Sequence, residues 1–323
     1  ERISVMEVAV LVCDGVFDSG LAAILDVLDY ASMLAGEIPG APRWNVTAVG
    51  SRPQVRTGAG HLVDTVPLAR AAEADLLVVP AVPERGPREL LRFVGGDQAL
   101  PARDLIARTR ARGAAIASAC AGTFLLAEAG ILDGLRATTT WWLAPAFRAR
   151  YPAVRVDQGQ MVIASDGITT AGAAFGHLDL ALAIVRAGSP ALADLVARYL
   201  VLDERPSQSV YVIPSALAHS DPTVAAFERW ARARLAGPIS IPLAARAIGV
   251  SERTLQRSVR RTLGTSPIRF VQDLRIEQAV HMLRTTGLPL EKISRKVGYE
   301  HPGTLRVLLR ERTGKTTTAL RGR

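Results

Sequence analysis

The chain has 323 residues, which exceeds the size of about 250 to 300 residues at which one hydrophobic core usually stops growing, so two domains are expected. With 49% hydrophobic and 21% charged residues, the composition is that of folded domains and excludes extended disorder. Two cysteines are too few for a disulfide framework or a cysteine-based zinc site. No apolar run is long enough for a membrane span and no signal-peptide pattern is present, so we expect a soluble cytoplasmic protein without membrane, metal or cofactor.

The net charge of +9 is concentrated at one end of the chain. Residues 216–323 contain 20 Lys and Arg against 8 Asp and Glu, whereas residues 1–215 contain 19 against 22. A basic domain joined to a slightly acidic one is typical of a nucleic-acid-binding protein that carries a separate module. A solvated basic surface would give the same count, so the motifs have to decide.

The first two thirds of the sequence alternate between strand-like and helix-like segments. Continuous apolar runs indicate buried parallel strands, and one-sided apolar spacing indicates the helices between them. This alternation predicts an α/β fold with an open, mostly parallel sheet and helices on both faces, whose ligands lie beyond the carboxyl ends of the strands. The predicted strands are 8–12, 44–49, 76–79 and 114–117, and the clearest helices are 21–34 and 100–112.

Cys120 lies between the last of these strands and a helix predicted to begin near Gly122. A strand, a tight turn and a helix would place the thiol at the amino end of the helix, where its pKa falls and an anion can bind. Asp14 and Ala81 follow two other strands and are candidates for lining the same pocket, together with Ala121. A nucleophilic cysteine would also need a general base, normally histidine.

The segments CAGTFLLAEAGILDGLRATTTWW (120–142) and VAVLVCDGVFDSGLAAILDVL (8–28) resemble the PfpI-type, glutamine-amidotransferase-like fold of GlxA-type regulators. The resemblance covers about residues 5–203 and implies a flavodoxin-like domain whose elbow cysteine is assisted by histidine and often glutamate. Here Thr140 stands at the histidine position, Gly20 at the glutamate position, and 80–82 read Pro-Ala-Val instead of a glycine pair.

These departures predict a domain that does not catalyse hydrolysis, because loss of a general base alone costs about 10²- to 10⁴-fold in rate. We expect no catalytic residue and a vestigial elbow that binds a small-molecule effector through Cys120, Thr140 and Trp141, with the strand-end residues. Two alternatives stay open: Cys120 is a small core residue, or the chain is a cysteine-dependent amidase or hydrolase that also binds DNA. His177 and Asp179, at the start of an apolar helix, are assigned no chemistry.

Residues 206–215 have prolines near both ends and no helical period, so a linker is predicted at 206–221. The first helix-turn-helix pattern follows at 242–264, where Gly249 suits the turn and Ser251 can cap the next helix. In that helix Leu255, Val259 and Leu263 recur every four residues and should face inward. The residues left facing outward are the predicted DNA-binding set Arg253, Gln256, Arg257, Arg260 and Arg261, which can read base edges and neutralise phosphates.

A second, similar unit occupies residues 289–314, with Gly298 in its turn and a helix that is predicted to run from Pro267 between the two units. Its inward residues are Leu305, Leu308 and Leu309.

The segments GVSERTLQR, LGTSPIRFVQDLRIEQA and ISRKVGYEHPGTLRVLLRERTG resemble the AraC/XylS-type DNA-binding domain over about residues 222–321. The resemblance implies an all-α domain with two helix-turn-helix units that binds double-stranded DNA. By position, it places the DNA-facing surface of the second unit near Gly303, Thr304, Arg306 and Val307. We expect the first unit to carry more of the sequence readout and the second to hold mainly the DNA backbone, through Arg306, Arg310 and Arg312. The expected organisation is a sensing or dimerisation domain at 1–205, a linker at 206–221 and a DNA-binding domain at 222–323. A homodimer is implied by the resemblance, and an α/β scaffold without any ligand remains a further alternative.

Overall fold

The computed structural model describes residues 4–83, 86–203, 205, 207–208, 211–218 and 221–322. The chain divides into two compact units, Glu1–Gln208 and Ser209–Arg323. Five positions of the predicted linker, Pro206, Ser209, Val210, His219 and Ser220, lie outside the described residues.

The first unit is built from short strands alternating with helices. Its helices are α1 (Asp18–Leu34), α2 (Pro87–Gly95), α3 (Leu100–Ala111), α4 (Gly122–Glu128), α5 (Ala144–Arg150), α6 (Gly176–Gly188) and α7 (Pro190–Tyr199), with short 3₁₀ turns at Ala35–Glu37, Leu68–Glu73 and Asp97–Ala99. Its strands are β1 (Val5–Leu11), β2 (Arg43–Gly50), β3 (Gln54–Arg56), β4 (Leu62–Asp64), β5 (Val66–Pro67), β6 (Leu76–Val79), β7 (Ala115–Ala119), β8 (Arg136–Ala137), β9 (Arg155–Val156), β10 (Val162–Ser165) and β11 (Ile168–Ala171).

Seven of these strands form one sheet in the order β10-β11-β7-β6-β1-β2-β5. Every pairing in it is parallel except that of β10 with β11 at one edge. The carboxyl ends of β7, β6 and β1 are therefore neighbours, which brings the turns after these strands to the same edge of the sheet. The predicted open, mostly parallel α/β fold is confirmed.

Both faces of the sheet are covered, because successive residues of a strand point to opposite faces. In β1, Val8 and Val10 belong to a core shared with α1, α6 and α7, whereas Ala9 and Leu11 belong to a core shared with α2, α3 and α4. This double burial explains why the strands are continuous apolar runs in the sequence. The predicted helical layers on both faces are confirmed.

The residues Asp18–Glu37, which include α1, form the one candidate in the described part of the chain that could cross a membrane by length and composition alone. In the structure, Ile24, Val27, Leu28 and Ala31 of this helix are fully buried in the first unit. These four residues therefore belong to the protein core.

In the described part of the second unit, the regular structure consists of helices alone. Its helices are α8 (Pro214–Ala218), α9 (Pro222–Arg232), α10 (Ile241–Ala247), α11 (Glu252–Leu263), α12 (Pro267–Thr285), α13 (Leu290–Lys296), α14 (Pro302–Thr313) and α15 (Thr317–Leu320). The predicted all-α region with two helix-turn-helix units is confirmed, with α10–α11 as the first unit, α13–α14 as the second, and α12 between them.

The segment predicted to be a linker without helical structure contains α8, which is a difference from the sequence analysis. Leu217 is 3% exposed and Ala218 is fully buried, and α8 packs against α9, α11 and α12. A helix of five residues is too short to show a 3.6-residue period, so its tertiary contacts, and not its pattern, stabilise it.

Candidate nucleic-acid interface and elbow site

The first helix-turn-helix unit follows the local rules for helix ends. Ser240 caps α10 by accepting a hydrogen bond from the Leu243 amide at 3.4 Å, and Ser251 caps α11 by accepting from the Thr254 amide at 3.1 Å. Between the helices Gly249 has φ of +74°, a conformation that glycine adopts without steric cost. The chain can therefore turn sharply and present α11 at an angle to α10.

Helix α11 separates a buried stripe from a polar outward face. Leu255 and Val259 are fully buried and Leu263 is 4% exposed, as the four-residue spacing predicts. All five residues proposed from the sequence to face DNA are exposed: Arg253, Gln256, Arg257, Arg260 and Arg261. Four guanidinium groups and one amide are thus presented by a single helix, and their role in DNA binding stays a prediction.

Two of these five side chains already have partners within the protein. Arg261 Nη2 donates to Asp221 Oδ2 at 2.6 Å, and Asp221 also caps α9 by accepting from the Thr223 amide at 2.8 Å. Gln256 Nε2 donates to Glu252 Oε1, one turn earlier, at 2.9 Å. Arg261 therefore ties α11 to α9, whereas the Gln256 contact lies on the solvent-exposed face, where it can exchange for a base.

The second unit repeats this arrangement with different surface chemistry. Gly298 has φ of +80° in the turn, and Leu305 and Leu309 of α14 are fully buried. The predicted DNA-facing residues of this helix are all exposed: Thr304, Arg306 and Arg310. Arg312, which was expected to contact the DNA backbone, instead pairs with Asp273 of α12 at 2.9 Å.

The connecting helix α12 contacts both the segment before the first helix-turn-helix unit and the turn of the second. Arg275 of α12 donates from Nη2 to the Gly237 carbonyl at 2.7 Å, and its guanidinium lies 5.3 Å from the centre of the Tyr299 ring. A side chain at Gly298 would place Cβ 2.2 Å from the Leu235 carbonyl oxygen. The turn of the second helix-turn-helix unit is therefore packed closely against the segment that precedes the first helix-turn-helix unit.

In the α/β unit, Glu1–Gln208, Cys120 lies at a strained turn, or elbow, between β7 and α4. It has φ of +55°, which is costly for a residue other than glycine. Gly122 permits the turn, because a Cβ there would lie 2.3 Å from the Pro80 carbonyl oxygen and 2.6 Å from that of Val79. The predicted strand, tight turn and helix are present, and α4 begins at Gly122.

The environment of the thiol does not favour a thiolate. Cys120 is 7% exposed, and burial raises its pKa, although Thr140 and the Ala121 amide partly counteract this. The Thr140 hydroxyl is fully buried and interacts with the thiol, but it makes no hydrogen bond of standard geometry to any described residue. A hydroxyl cannot act as the general base that histidine provides.

His177, to which the sequence analysis gave no chemistry, lies where it blocks two features of a catalytic elbow. Its Nδ1 donates to the Ala174 carbonyl at 2.5 Å, so Nε2 is free to accept from the Ala81 amide at 3.0 Å. Burial lowers the pKa of His177 to about 4, and the Ala174 contact only partly offsets this. The imidazole is therefore neutral at pH 7, and the Ala81 N–H is not available to an incoming oxyanion.

The same ring occupies the space beside Gly20. A Cβ at Gly20 would lie 2.7 Å from Cε1 of His177, so a glutamate cannot be placed at position 20 while His177 keeps its position. The glycine at position 20 and the buried histidine are thus one structural feature. No sequence pattern connects the two positions, because they are brought together only by the packing of α1 against α6.

The remaining candidate ligand residues lie in different surroundings. Asp14 is exposed, forms an ion pair with Arg52 and accepts from the Arg56 amide at 3.3 Å. Trp141 is 8% exposed and packs edge-to-face on Trp142 with ring centres 5.4 Å apart. Among the described residues, no group of three or more His, Cys, Asp and Glu side chains could hold a metal ion.

Asp179, to which no chemistry was assigned from the sequence, forms an ion pair in the structure. Its carboxylate pairs with Arg205, and the guanidinium also donates to the Phe175 carbonyl at 2.7 Å. Burial raises the pKa of Asp179 in spite of this pairing. The pair fastens the chain after α7 to the start of α6.

Gln208, the last residue of the α/β unit, was not singled out from the sequence. It is fully buried, and its Nε2 donates to the Thr139 carbonyl at 2.9 Å and to Thr138 Oγ1 at 3.1 Å. Thr139 in turn donates from Oγ1 to the Cys120 carbonyl at 2.8 Å. Gly172 leaves room for this side chain, since a Cβ there would lie 2.1 Å from Gln208 Nε2. The last residue of the unit is therefore hydrogen-bonded to the loop that holds the elbow.

Known proteins resemble both parts of the chain. A family model described as a helix-turn-helix domain matches residues 244–323. The HTH-type transcriptional regulator CdhR of Pseudomonas aeruginosa is 32% identical over 200 residues, which are 56% of this chain and 55% of CdhR. The HTH-type transcriptional regulator GlxA of Rhizobium meliloti is 25% identical over 215 residues, which are 65% of this chain and 66% of GlxA. This chain is therefore similar to GlxA- and CdhR-like transcriptional regulators over part of its length.

The α/β unit, Glu1–Gln208, also resembles a solved structure in its fold. A THiJ/PfpI family protein from Pseudomonas syringae is 20% identical with a TM-score of 0.51, and the match covers 69% of this chain and 86% of that protein. This likeness concerns the fold alone. The predicted combination of a PfpI-like domain with an AraC-type helix-turn-helix region is confirmed. The alignment spans just over half of the length of CdhR, so the activity and partners of this GlxA-like chain are inferred from its own residues.

Proposed function

We propose that this GlxA-like chain is a cytoplasmic, sequence-specific DNA-binding transcription regulator whose PfpI-like unit binds a small-molecule effector and forms a homodimer. The observation that carries the proposal is the outward face of α11. Arg253, Gln256, Arg257 and Arg260 are exposed opposite a fully buried apolar stripe, on a helix that follows a glycine turn. A helix of this kind fits the major groove of B-DNA, which is about 12 Å wide.

The side chains of α11 suit different parts of the duplex. Arg253 and Arg257 can donate two hydrogen bonds to guanine, and Gln256 can pair with adenine once it leaves Glu252. Arg260 neutralises a phosphate, as do Arg306 and Arg310 of the second unit, with Thr304 as a further hydrogen-bond donor. Arg261 contributes least, because its guanidinium is held by Asp221 at 2.6 Å. Binding should weaken steeply with salt, because each phosphate contact releases counterions.

The decisive experiment selects duplexes from a random library with the full-length chain and then tests Arg257→Ala on the selected site. Loss of a bidentate contact should cost about 1 to 3 kcal/mol and relax the preference at one base pair. Arg284→Ala is the control, since Arg284 is exposed in the last turn of α12, outside both reading helices. Equal weakening by Arg257→Ala on every DNA sequence would assign Arg257 to a phosphate, and failure to select any sequence would refute the proposed function.

In the PfpI-like unit we assign the elbow to effector binding and not to catalysis. Cys120, Thr140 and Trp141, with Ala121, Asp14 and Ala81 from neighbouring strand ends, are the proposed ligand contacts. The buried hydroxyl of Thr140 can donate to a small polar ligand, whereas a thiol whose pKa is raised by burial is a poor nucleophile. Ala81 can offer its methyl group but not its amide, which donates to His177.

The rival function is a cysteine-dependent amidase, favoured by the strained elbow at Cys120. Thiol alkylation measured against pH distinguishes the two, because a catalytic thiolate would titrate well below about 8.5. We expect slow alkylation that increases only above that value. Cys120→Ser is the control that identifies the reacting thiol, and turnover of an amide substrate with a low-pH titration would establish the enzyme instead.

The proposed homodimer is tested by sedimentation of the full-length chain at micromolar concentration. A twofold assembly would place two DNA-binding units on one duplex and raise the affinity through their linkage. A monomer over the whole concentration range would remove the dimer from the proposal without affecting DNA recognition by α11.

A further inference from the structure

Helices α11 and α14 can be compared residue by residue. Each has twelve residues, and each ends at a glycine in the left-handed conformation, Gly264 with φ of +69° and Gly314 with φ of +66°. Aligning these ends places the fully buried Leu305 of α14 on the buried Leu255 of α11. A surface position of one helix therefore has a defined counterpart in the other.

The outward stripe that begins each helix differs completely between the two. Arg253 and Arg257 of α11 correspond to Gly303 and Val307 of α14. Val307 follows the buried Leu305 by two residues, which is about 200° around the helix, so it points directly away from the core. Its exposed fraction is 57%, consistent with that position.

Folding does not explain either residue. A Cβ at Gly303 would meet no atom within 4 Å, so nothing in the second unit requires glycine there. Glycine and valine are both weaker helix formers than alanine, and an exposed valine gains nothing from burial. Gly303 and Val307 are separated by four residues and so form one small, apolar stripe on the helix surface.

The surroundings of this stripe define what it can contact. Thr304, Arg306 and Arg310 are exposed beside it, and they supply one hydroxyl and two positive charges. The Val307 side chain is apolar and lies among groups that can bind anions. It therefore suits a partner that presents one methyl group between phosphates. In the major groove that group is the 5-methyl of thymine, which apolar side chains contact. The glycine lets the backbone of α14 approach its ligand closely.

We propose that Val307 reads the 5-methyl group of one thymine and that Gly303 allows the first turn of α14 to approach the DNA. The inference rests on the proposed function and deepens it, since it gives the second unit a direct part in sequence recognition. Sequence analysis had assigned this unit mainly to the DNA backbone. The second unit reads through apolar contact where the first reads through hydrogen bonds.

The test replaces each thymine of the selected duplex in turn with deoxyuridine, which lacks only the methyl group, and measures the affinity of the full-length chain. At one thymine the affinity should fall about fourfold, the equivalent of about 0.8 kcal/mol for one buried methyl group. With Val307→Ala the same replacement should have almost no further effect. Leu243→Ala is the matched control, because Leu243 is an exposed apolar residue of α10, and it should keep the fourfold sensitivity.

A second variant separates DNA contact from folding. Gly303→Ala should raise the thermal midpoint of unfolding, because alanine is the better helix former, and should weaken binding to the selected duplex. If Gly303→Ala raised both the thermal midpoint and the affinity for the selected duplex, the proposed role of Gly303 would be wrong. If the chain binds its selected site and no thymine is sensitive to deoxyuridine, the Val307 inference is wrong while the proposed function stands. If no duplex is selected at all, both are wrong.

Discussion

The two reading helices have the same length and the same buried side, but their outward sides carry different chemistry. Leu255 and Leu305 occupy equivalent, fully buried positions, whereas the outward Arg257 corresponds to Val307. The buried position is constrained by packing, since a change of even one methylene is felt in a close-packed core. The outward position has no such constraint and is available for recognition. The duplicated units thus preserve what folds them and differ in what they can bind.

The two turns sharpen this comparison and give the largest expected effect on stability. Gly249→Ala should lower the free energy of unfolding by about 1 to 2 kcal/mol, because alanine is strained at positive φ. Gly298→Ala should cost about 1 to 3 kcal/mol more, because its Cβ would lie 2.2 Å from the Leu235 carbonyl oxygen, whereas a Cβ at Gly249 meets nothing within 4 Å. Urea denaturation of both variants measures the difference. Equal losses would show that the second turn can relax away from its neighbour.

Substitutions at the helix caps should change stability by an intermediate amount, with opposite signs in the two helix-turn-helix units. Ser251 accepts a hydrogen bond from the Thr254 amide, but His301, at the same place before α14, provides no side-chain cap. Ser251→Ala should therefore lose about 1 kcal/mol of stability, and His301→Ser should gain up to about 1 kcal/mol. Thermal denaturation at neutral pH checks both. A loss in His301→Ser would mean that the histidine stabilises the second unit in another way.

The smallest expected effect is an opposite response of the two units to acid. Burial would raise the pKa of Asp221, but hydrogen bonds from Arg261 and two backbone amides outweigh it and lower the pKa. Burial raises the pKa of Asp273 in spite of the positive charge of Arg312. As the pH falls through the lowered pKa of Asp221, protonation of its carboxylate therefore removes stability from the first helix-turn-helix unit. Asp273 behaves in the opposite way, because the folded state binds its proton more readily than the unfolded chain and so gains stability.

Each of these contributions should be no more than about 1 kcal/mol, because both pairs are partly exposed. NMR titration of the two side-chain carboxyl groups gives their pKa values directly, and Asp221→Asn and Asp273→Asn remove each titration in turn. Amide exchange in α11 and α14 then reports which unit loosens at low pH. Equal pKa values for the two carboxyl groups would contradict this difference between the units.

Much of the chain could be predicted from the sequence wherever neighbouring residues determine the structure. The apolar runs of β1, β6 and β7 predicted a parallel sheet, and Gly249 with Ser251 predicted the turn and cap before α11. Short helices without a full period were not predictable, and α8 is the example. Its Leu217 and Ala218 are buried by helices that lie later in the sequence.

The elbow site marks the limit of local inference. The sequence predicted an elbow without histidine and glutamate partners, from Thr140 and Gly20. It could not predict that His177 fills the space beside Gly20 and accepts from the Ala81 amide. Gln208 likewise reaches Thr139, 69 residues earlier in the chain. These contacts join residues that no periodic pattern relates.

By itself, the sequence determined the class of each unit and the outward residues of α11 and α14, because hydrophobic spacing, turns and caps act within a few residues. Only the tertiary structure decided which of the charged side chains pair within the protein. It ties Arg261 to Asp221 and Arg312 to Asp273, and it leaves Arg257 exposed. The physical reason is that a hydrogen bond or ion pair depends on the distance between atoms in space, which folding sets for residues far apart in the chain.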